Sequence, residues 1–132
     1  MSAFLSIVGG IFVGISVLFH AYVFTLESIS WTQPKTWKTF GLPNQEHADI
    51  IRPMALNQGF YNLFLALGAS VGLSLLGANK TVALSLISLA EFSMVGAGLV
   101  LFFSIKTSRR AAIIQAGPPL IGVICLLIGQ SI

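Results

Sequence analysis

Residues 3–26 read AFLSIVGGIFVGISVLFHAYVFTL, an apolar run that contains no Asp, Glu, Lys or Arg. At about 1.5 Å per residue, a helix of this length exceeds the roughly 30 Å of hydrocarbon in a bilayer. A cleavable signal peptide would have a basic start, a shorter apolar region and a small-residue cleavage site, and this segment has none of these. The run therefore predicts a first membrane-spanning helix.

The composition of the whole chain agrees with a membrane location. Only 8% of the residues are charged, 55% are hydrophobic and the mean hydropathy is +0.90, which would leave a soluble domain with too little polar surface. Three further apolar runs predict spans at about residues 54–77, 81–105 and 111–128. Because the connections after the second and third spans are short, neighbouring helices must be antiparallel. We expect an all-α membrane protein with one domain, residues 1–132, in which four transmembrane helices form an antiparallel up-down bundle.

The loop of residues 28–53 is the long polar segment of the chain. It contains three large aromatic residues, Trp31, Trp37 and Phe40. Aromatic rings of this kind favour the headgroup level of a bilayer, so they either anchor the loop there or form a lid over a ligand site. Asn44 is placed to cap a short interfacial helix that extends to about Ile51, and Pro53 is expected to interrupt that helix.

The basic residues predict the orientation. With four spans, six of the seven Lys and Arg residues lie on one side and only Lys80 lies on the other; the six are Lys35, Lys38, Arg52, Lys106, Arg109 and Arg110. Cytoplasmic loops carry the excess of Lys and Arg. We therefore expect a multi-pass protein of the cell membrane, with the loop 28–53 in the cytoplasm and both termini outside.

Polar residues within the spans mark a candidate site. His20 and Glu27 lie toward the cytoplasmic end of the first span, and ionisable groups in a membrane helix usually face a bundle interior or a cavity. The second and fourth spans place further polar side chains in the same half of the bilayer: Asn57, Gln58, Tyr61, Asn62 and Gln115. An unpartnered amide in hydrocarbon costs several kcal/mol, so we expect these groups to converge. They predict a polar pocket that opens toward the cytoplasm.

The chemistry of this pocket has two interpretations. In the first, His20 is a general acid or base, Glu27 orients or charges it, and the amides and Tyr61 hold the polar group of a ligand. In the second, the same residues only fasten helices together, as Asn, Gln and His often do in membranes.

Glu91 predicts a separate feature, near the middle of the third span. It is either a proton or cation site, as intramembrane acids are in transporters, or a carboxyl group bonded to Ser85, Ser88 or Ser93. Three functions thus remain open: binding or converting a small lipophilic molecule, proton- or cation-coupled transport, and a structural or accessory role. Whether the protein is an enzyme also remains open. No cofactor, metal or nucleic acid is expected.

Small residues at helical spacing predict where helices approach closely. Gly10 with Gly14 and Gly68 with Gly72 form GxxxG motifs, and Ser93 with Ala97 is a weaker equivalent. Such motifs permit tight contacts in lipid, either inside the bundle or between copies of the chain. Membrane lipid and a second copy of the protein are therefore the expected partners, beside a small ligand.

Several of these residues together resemble the small bacterial membrane proteins grouped as domain of unknown function 1304. The resemblance is carried by His20, Tyr22, Leu26, Glu27 and Trp31, by residues 40–42 (FGL), by residues 57–59 (NQG) with Tyr61 and Asn62, and by Gln115 with Gly117 and Pro118. It implies a four-helix integral membrane protein without an established activity. It also implies that the pocket residues are the family's typical positions, whereas Glu91 lies outside its motifs.

Overall fold

Residues 1–131 are described by a computed structural model, and every regular element among them is helical. The five α-helices are α1 (Ser2–Phe24), α2 (Pro34–Thr39), α3 (Gln45–Leu75), α4 (Lys80–Ser104) and α5 (Arg109–Ser131). A π-helical turn, Thr25–Ile29, continues α1, and a 3-10 turn, Lys106–Ser108, precedes α5. The prediction of an all-helical protein is confirmed.

Three of the helical segments in the described chain are long and apolar enough to cross a membrane. They are Ser2–Ile29, Lys80–Ser104 and Lys106–Ser131, and they correspond to the first, third and fourth predicted spans. α3 is a fourth long helix of 31 residues, but its polar first turns and its amides lower its hydropathy. These segments indicate a multi-pass membrane protein.

The course of α3 corrects the prediction at Pro53. The helix runs from Gln45 through Pro53 without a break, although proline cannot donate the backbone hydrogen bond to residue i−4. Ala48 and Ala55, which lie on either side of Pro53, pack into one cluster with Trp31 and Trp37. A break at Pro53 would separate these two alanines, so the shared packing offsets the missing hydrogen bond.

The ends of the helices follow ordinary capping chemistry. As predicted, Asn44 caps the start of α3: its Oδ1 accepts a hydrogen bond from the His47 backbone N at 3.0 Å. Asn79 caps α4 in the same way, by accepting from the Val82 backbone N at 3.2 Å. The short helix predicted from Asn44 to about Ile51 forms the first turns of α3 and is not a separate element. The separate short helix of the loop is α2, which begins with Pro34 at a position where proline is favourable.

The described chain forms two compact units. One consists of Met1–Phe19 with the described part of Leu65–Ile132, and the other is His20–Phe64. The first unit is centred on a cluster of fully buried side chains from α1, α3, α4 and α5: Val13, Ala69, Ile87, Ala90 and Leu126. The second unit holds the Trp31–Trp37 cluster.

Glycines allow two helices of the first unit, α1 and α5, to approach each other closely. A Cβ atom at Gly9 of α1 would lie 2.6 Å from the Leu126 backbone N of α5, and one at Gly129 would lie 2.6 Å from the Ser6 backbone N. Gly122 likewise abuts Val13. No side chain larger than hydrogen fits at these three contacts, so α1 and α5 touch backbone to backbone, which is how helices pack tightly in lipid.

The glycines of the predicted motifs have a different environment. At Gly10, Gly14 and Gly68, no atom of another helix in the described chain lies within 4 Å of the place where a Cβ would stand, whereas Gly72 has close neighbours in Ala83 and Ile87 of α4. The tight contact between α1 and α5 therefore uses Gly9 and not its neighbour Gly10.

This difference makes Gly9 and Gly10 a matched pair for mutation. We expect Gly9→Ala to destabilise the protein by about 1–3 kcal/mol, because the new methyl group meets backbone that cannot move aside easily. Gly10→Ala should be neutral or stabilise by up to roughly 1 kcal/mol, since alanine favours the helix. Reversible unfolding of the purified protein in mixed micelles measures both, and equal effects of the two substitutions would contradict the packing.

Candidate ligand-binding site

Glu27 lies in the π-helical turn that ends the first long helix. The Ser30 backbone N donates to the Thr25 carbonyl oxygen at 2.9 Å, which is the five-residue spacing of a π turn. Such turns are rare, insert one residue into a helix and often occur at functional sites. Here the turn carries the single acidic residue of the segment, and its carboxyl group is turned into the protein, with the residue only 9% exposed.

Asn62 of α3 holds this carboxyl group. Its Nδ2 donates to Glu27 Oε2 at 2.9 Å and also to the Gln58 carbonyl oxygen at 3.1 Å. Asn62 is itself only 8% exposed, so both partners are largely out of solvent. A hydrogen bond to a carboxylate is stronger than one between neutral groups, and burial increases its electrostatic part.

The close approach of α3 to the π turn depends on Gly59. A Cβ at this position would lie 3.1 Å from Glu27 Cβ and 3.2 Å from the Ser28 backbone N. Ser28 adds a second link, because its hydroxyl donates to the Leu56 carbonyl oxygen at 3.1 Å. The contact between these segments is therefore made by backbone and short side chains, and it places Asn62 within reach of Glu27.

A cavity of about 350 Å³ lies beside this pair. Its lining consists of Glu27, Trp31, Phe40, Leu42, Ile51, Met54, Ala55 and Gln58. Glu27 is the one charged residue among them, and Gln58 contributes an amide. A small apolar cavity with few polar groups is the usual form of a site for a small molecule.

One hydrogen bond outside the cavity orients Trp31, the larger ring of its aromatic wall. The Trp31 Nε1 donates to the Ala48 carbonyl oxygen at 2.9 Å, and the Trp31 and Phe40 ring centroids lie 5.3 Å apart. Since the indole N–H has this partner, Trp31 offers the cavity its ring rather than its polar edge. Trp31 and Trp37 are buried within the protein, whereas Phe40 is exposed.

The structure brings together three of the predicted site residues: Glu27, Gln58 and Asn62. Asn57 and Tyr61, which are neighbours of these in sequence, face outward, and Tyr61 is 58% exposed. His20 belongs to the same compact unit and is buried at 1% exposure, but it does not line the cavity.

The remaining predicted residues lie in the first compact unit. Gln115 is half-buried on α5. Glu91 is fully buried on α4, and the serine that interacts with its carboxyl group is Ser16 of α1. The serines predicted for this role include Ser85 and Ser93, whose hydroxyls instead donate to carbonyl oxygens of their own helix. A local bond of that kind is available to any serine within a helix.

Sequence reasoning offered Trp31 and Phe40 as part of a lid over a ligand site, but it missed the aliphatic part of the cavity wall. Leu42, Ile51 and Met54 lie in the loop and in the first turns of α3, where an apolar residue is also compatible with simple membrane anchoring. No sequence signal distinguishes these three residues from lipid-facing ones.

In the described residues, no group of three or more His, Cys, Asp or Glu side chains is arranged to hold a metal ion.

The family described as "Protein of unknown function (DUF1304)" matches residues 14–127. The chain belongs to this family. No curated protein and no solved structure matches the chain. The matched range includes the π turn, the loop and all of α3, so the cavity belongs to the part of the chain that defines DUF1304.

The Glu27–Asn62 hydrogen bond gives a prediction that a double-mutant cycle can test. We expect Glu27→Ala and Asn62→Ala each to destabilise the protein and the double variant to cost less than their sum. The difference should be about 1 kcal/mol, within the range measured for hydrogen bonds between membrane helices. Glu27→Ala combined with Asn57→Ala is the control, because exposed Asn57 makes no such bond and its effect should simply add. A Glu27–Asn62 coupling no larger than the control would contradict the assignment.

Proposed function

We propose that this DUF1304 protein crosses the membrane four times and binds a small lipophilic molecule in the cavity beside Glu27. The observation that supports this is a buried carboxyl group, held by Asn62, on the wall of an otherwise largely apolar cavity. The apolar wall would accept the body of the ligand, and Glu27 with Gln58 would bind its polar group. Binding is favoured over conversion because His20, the expected acid or base, does not line the cavity.

The fourth span in this proposal is the later part of α3. Residues 54–75 read MALNQGFYNLFLALGASVGLSL, which contains no charged residue and would extend over about 33 Å. Its amides cluster in the first three turns, and Asn62 has its partners within the protein. A polar group that is paired in this way costs far less in a membrane than an unpaired one.

We further propose that the loop and the cavity face the cytoplasm and that both termini lie outside. The excess of Lys and Arg in the loop 28–53 and around residues 106–110 supports this orientation. In a variant with Cys125→Ser, a cysteine placed at Lys80 should react with a membrane-impermeant maleimide on intact cells. One placed at Lys106 should react only after the cells are broken. The reverse labelling pattern would refute the orientation.

Ligand binding can be tested by fluorescence, because the chain contains only two tryptophans and both lie in the unit that forms the cavity. Bromine quenches tryptophan at contact, so 11-bromoundecanol is a suitable neutral probe. We expect saturable quenching in maltoside micelles. Gln58→Phe, which fills part of the cavity, should lower the affinity for the probe about tenfold, or roughly 1.4 kcal/mol.

Asn57→Phe is the matched control, because Asn57 is adjacent in sequence but does not line the cavity. It should leave the affinity unchanged. Non-saturable quenching that is equal in the wild type and in both variants would mean that the probe reaches the rings from the micelle, and the binding function would be rejected.

A second candidate function is proton- or cation-coupled transport through Glu91. The supporting observation is the complete burial of this carboxyl group on a candidate span. In reconstituted vesicles, transport predicts a cation- or pH-driven flux that Glu91→Gln removes and that Glu46→Gln, at an exposed acid, preserves. The binding function instead predicts that Glu91→Gln leaves the affinity for 11-bromoundecanol unchanged.

A further inference from the structure

The lining of the cavity contains one ionisable residue, and it is acidic. Glu27 is the charged residue of its lining, and none of the lining residues is Lys, Arg or His. A ligand with an anionic group would be repelled there. A neutral hydroxyl group could be bound by Gln58 alone and would not require a buried carboxyl group, whose desolvation is costly.

The aromatic rings of the cavity add a second preference for positive charge. The faces of Trp and Phe rings carry negative electrostatic potential and attract ammonium groups within about 6 Å. Trp31 and Phe40 lie side by side in the lining, and the polar edge of Trp31 is already occupied by Ala48. A ligand would therefore interact with the ring systems rather than with the indole N–H. The same loop shows this attraction elsewhere, since the Lys38 ammonium group lies 5.5 Å from the centroid of the Trp37 ring.

We infer that the ligand of this cavity is an amphiphile with an organic ammonium group, which Glu27 pairs with while the rings of Trp31 and Phe40 surround its alkyl substituents. This inference rests on the proposed binding function and narrows it to one chemical class. Asn62 is a positioning residue in it, because its bond to Oε2 fixes the carboxyl group at the cavity wall. The hydrocarbon part of the ligand packs against Leu42, Ile51 and Met54.

Three probes that share a brominated eleven-carbon chain test the inference: 11-bromoundecyltrimethylammonium, 11-bromoundecanol and 11-bromoundecanoate. In uncharged maltoside micelles, the wild type should bind the ammonium probe about tenfold or more tightly than the alcohol, and the carboxylate weakest of the three. Glu27→Gln should abolish the preference for the ammonium probe over the alcohol, because the amide has nearly the shape of the carboxyl group but carries no charge. Glu46→Gln, at an exposed acid outside the cavity, should preserve the preference.

The aromatic contribution is tested by Phe40→Leu, which keeps an apolar side chain at an exposed position and should not disturb folding. It should lower the affinity for the ammonium probe about twofold to fivefold more than the affinity for the alcohol. Equal binding of ammonium and alcohol in the wild type would overturn the inference while the binding function stands. Absence of saturable binding by all three probes would overturn both.

The ammonium group could belong to a free amine or to the headgroup of a lipid. Titration with short-chain phosphatidylcholine and, in parallel, phosphatidylglycerol separates the two sources. If phosphatidylcholine displaces the ammonium probe and phosphatidylglycerol does not, the ligand is a lipid headgroup. If neither displaces it, the ligand is a free amphiphilic amine. Displacement by phosphatidylglycerol as effective as that by phosphatidylcholine would contradict recognition of an ammonium group.

Discussion

A carboxyl group at the end of an apolar helix needs a hydrogen-bond donor within the protein, and the second compact unit is built around that need. The π turn carries Glu27, Gly59 removes the side chain that would keep α3 away, and Ser28 bonds the Leu56 carbonyl on the same approach. Asn62 then reaches the carboxyl group at 2.9 Å. Alone, the π turn and the glycine would each lower the stability of their helix. Together they satisfy one buried acid.

The first compact unit also depends on glycines, but there they serve the packing of helices against each other. Its helices have little hydrophobic drive to associate if lipid surrounds them, so their contact must come from close packing. Gly9, Gly122 and Gly129 allow α1 and α5 to touch along their backbones. Polar contacts add to this packing near the end of α5: Gln130 Nε2 donates to the Ser6 hydroxyl of α1 at 3.2 Å, and the Lys80 ammonium group of α4 donates to the Gln130 carbonyl oxygen. Gly129 packs against Ser6 at the same place, so close packing and hydrogen bonds act together there.

Hydrophobic runs and capping residues were sufficient to predict most of the helices, but they do not fix which face of a helix is inside. Residues next to each other on an α-helix point about 100° apart, so Gly9 and Gly10, or Asn57 and Gln58, cannot be distinguished by spacing alone. The sequence places glycines on adjacent faces of α1 and amides on adjacent faces of α3, and either face could be buried. The π turn adds to this ambiguity, since it shifts the register after Thr25 without any residue that marks it. At Pro53 the sequence does give a strong local prediction, a break in the helix, but the packing of Ala48 and Ala55 keeps the helix continuous.

The position of Glu27 is the reason why we propose a binding role rather than a fastening role for the polar residues. If Glu27 and Asn62 only held two helices together, their mutual hydrogen bond would be sufficient, and closer packing around it would strengthen the contact. Glu27 has bonded Asn62 and still lines a cavity of about 350 Å³, so part of the chain is arranged to keep space beside a carboxyl group that needs none for fastening. Larger side chains at Ala55 or Gln58 would close that space and increase the packing around the acid. A binding site requires the opposite arrangement, an oriented carboxyl group beside space for its ligand, and the proposed binding function rests on the presence of both at Glu27.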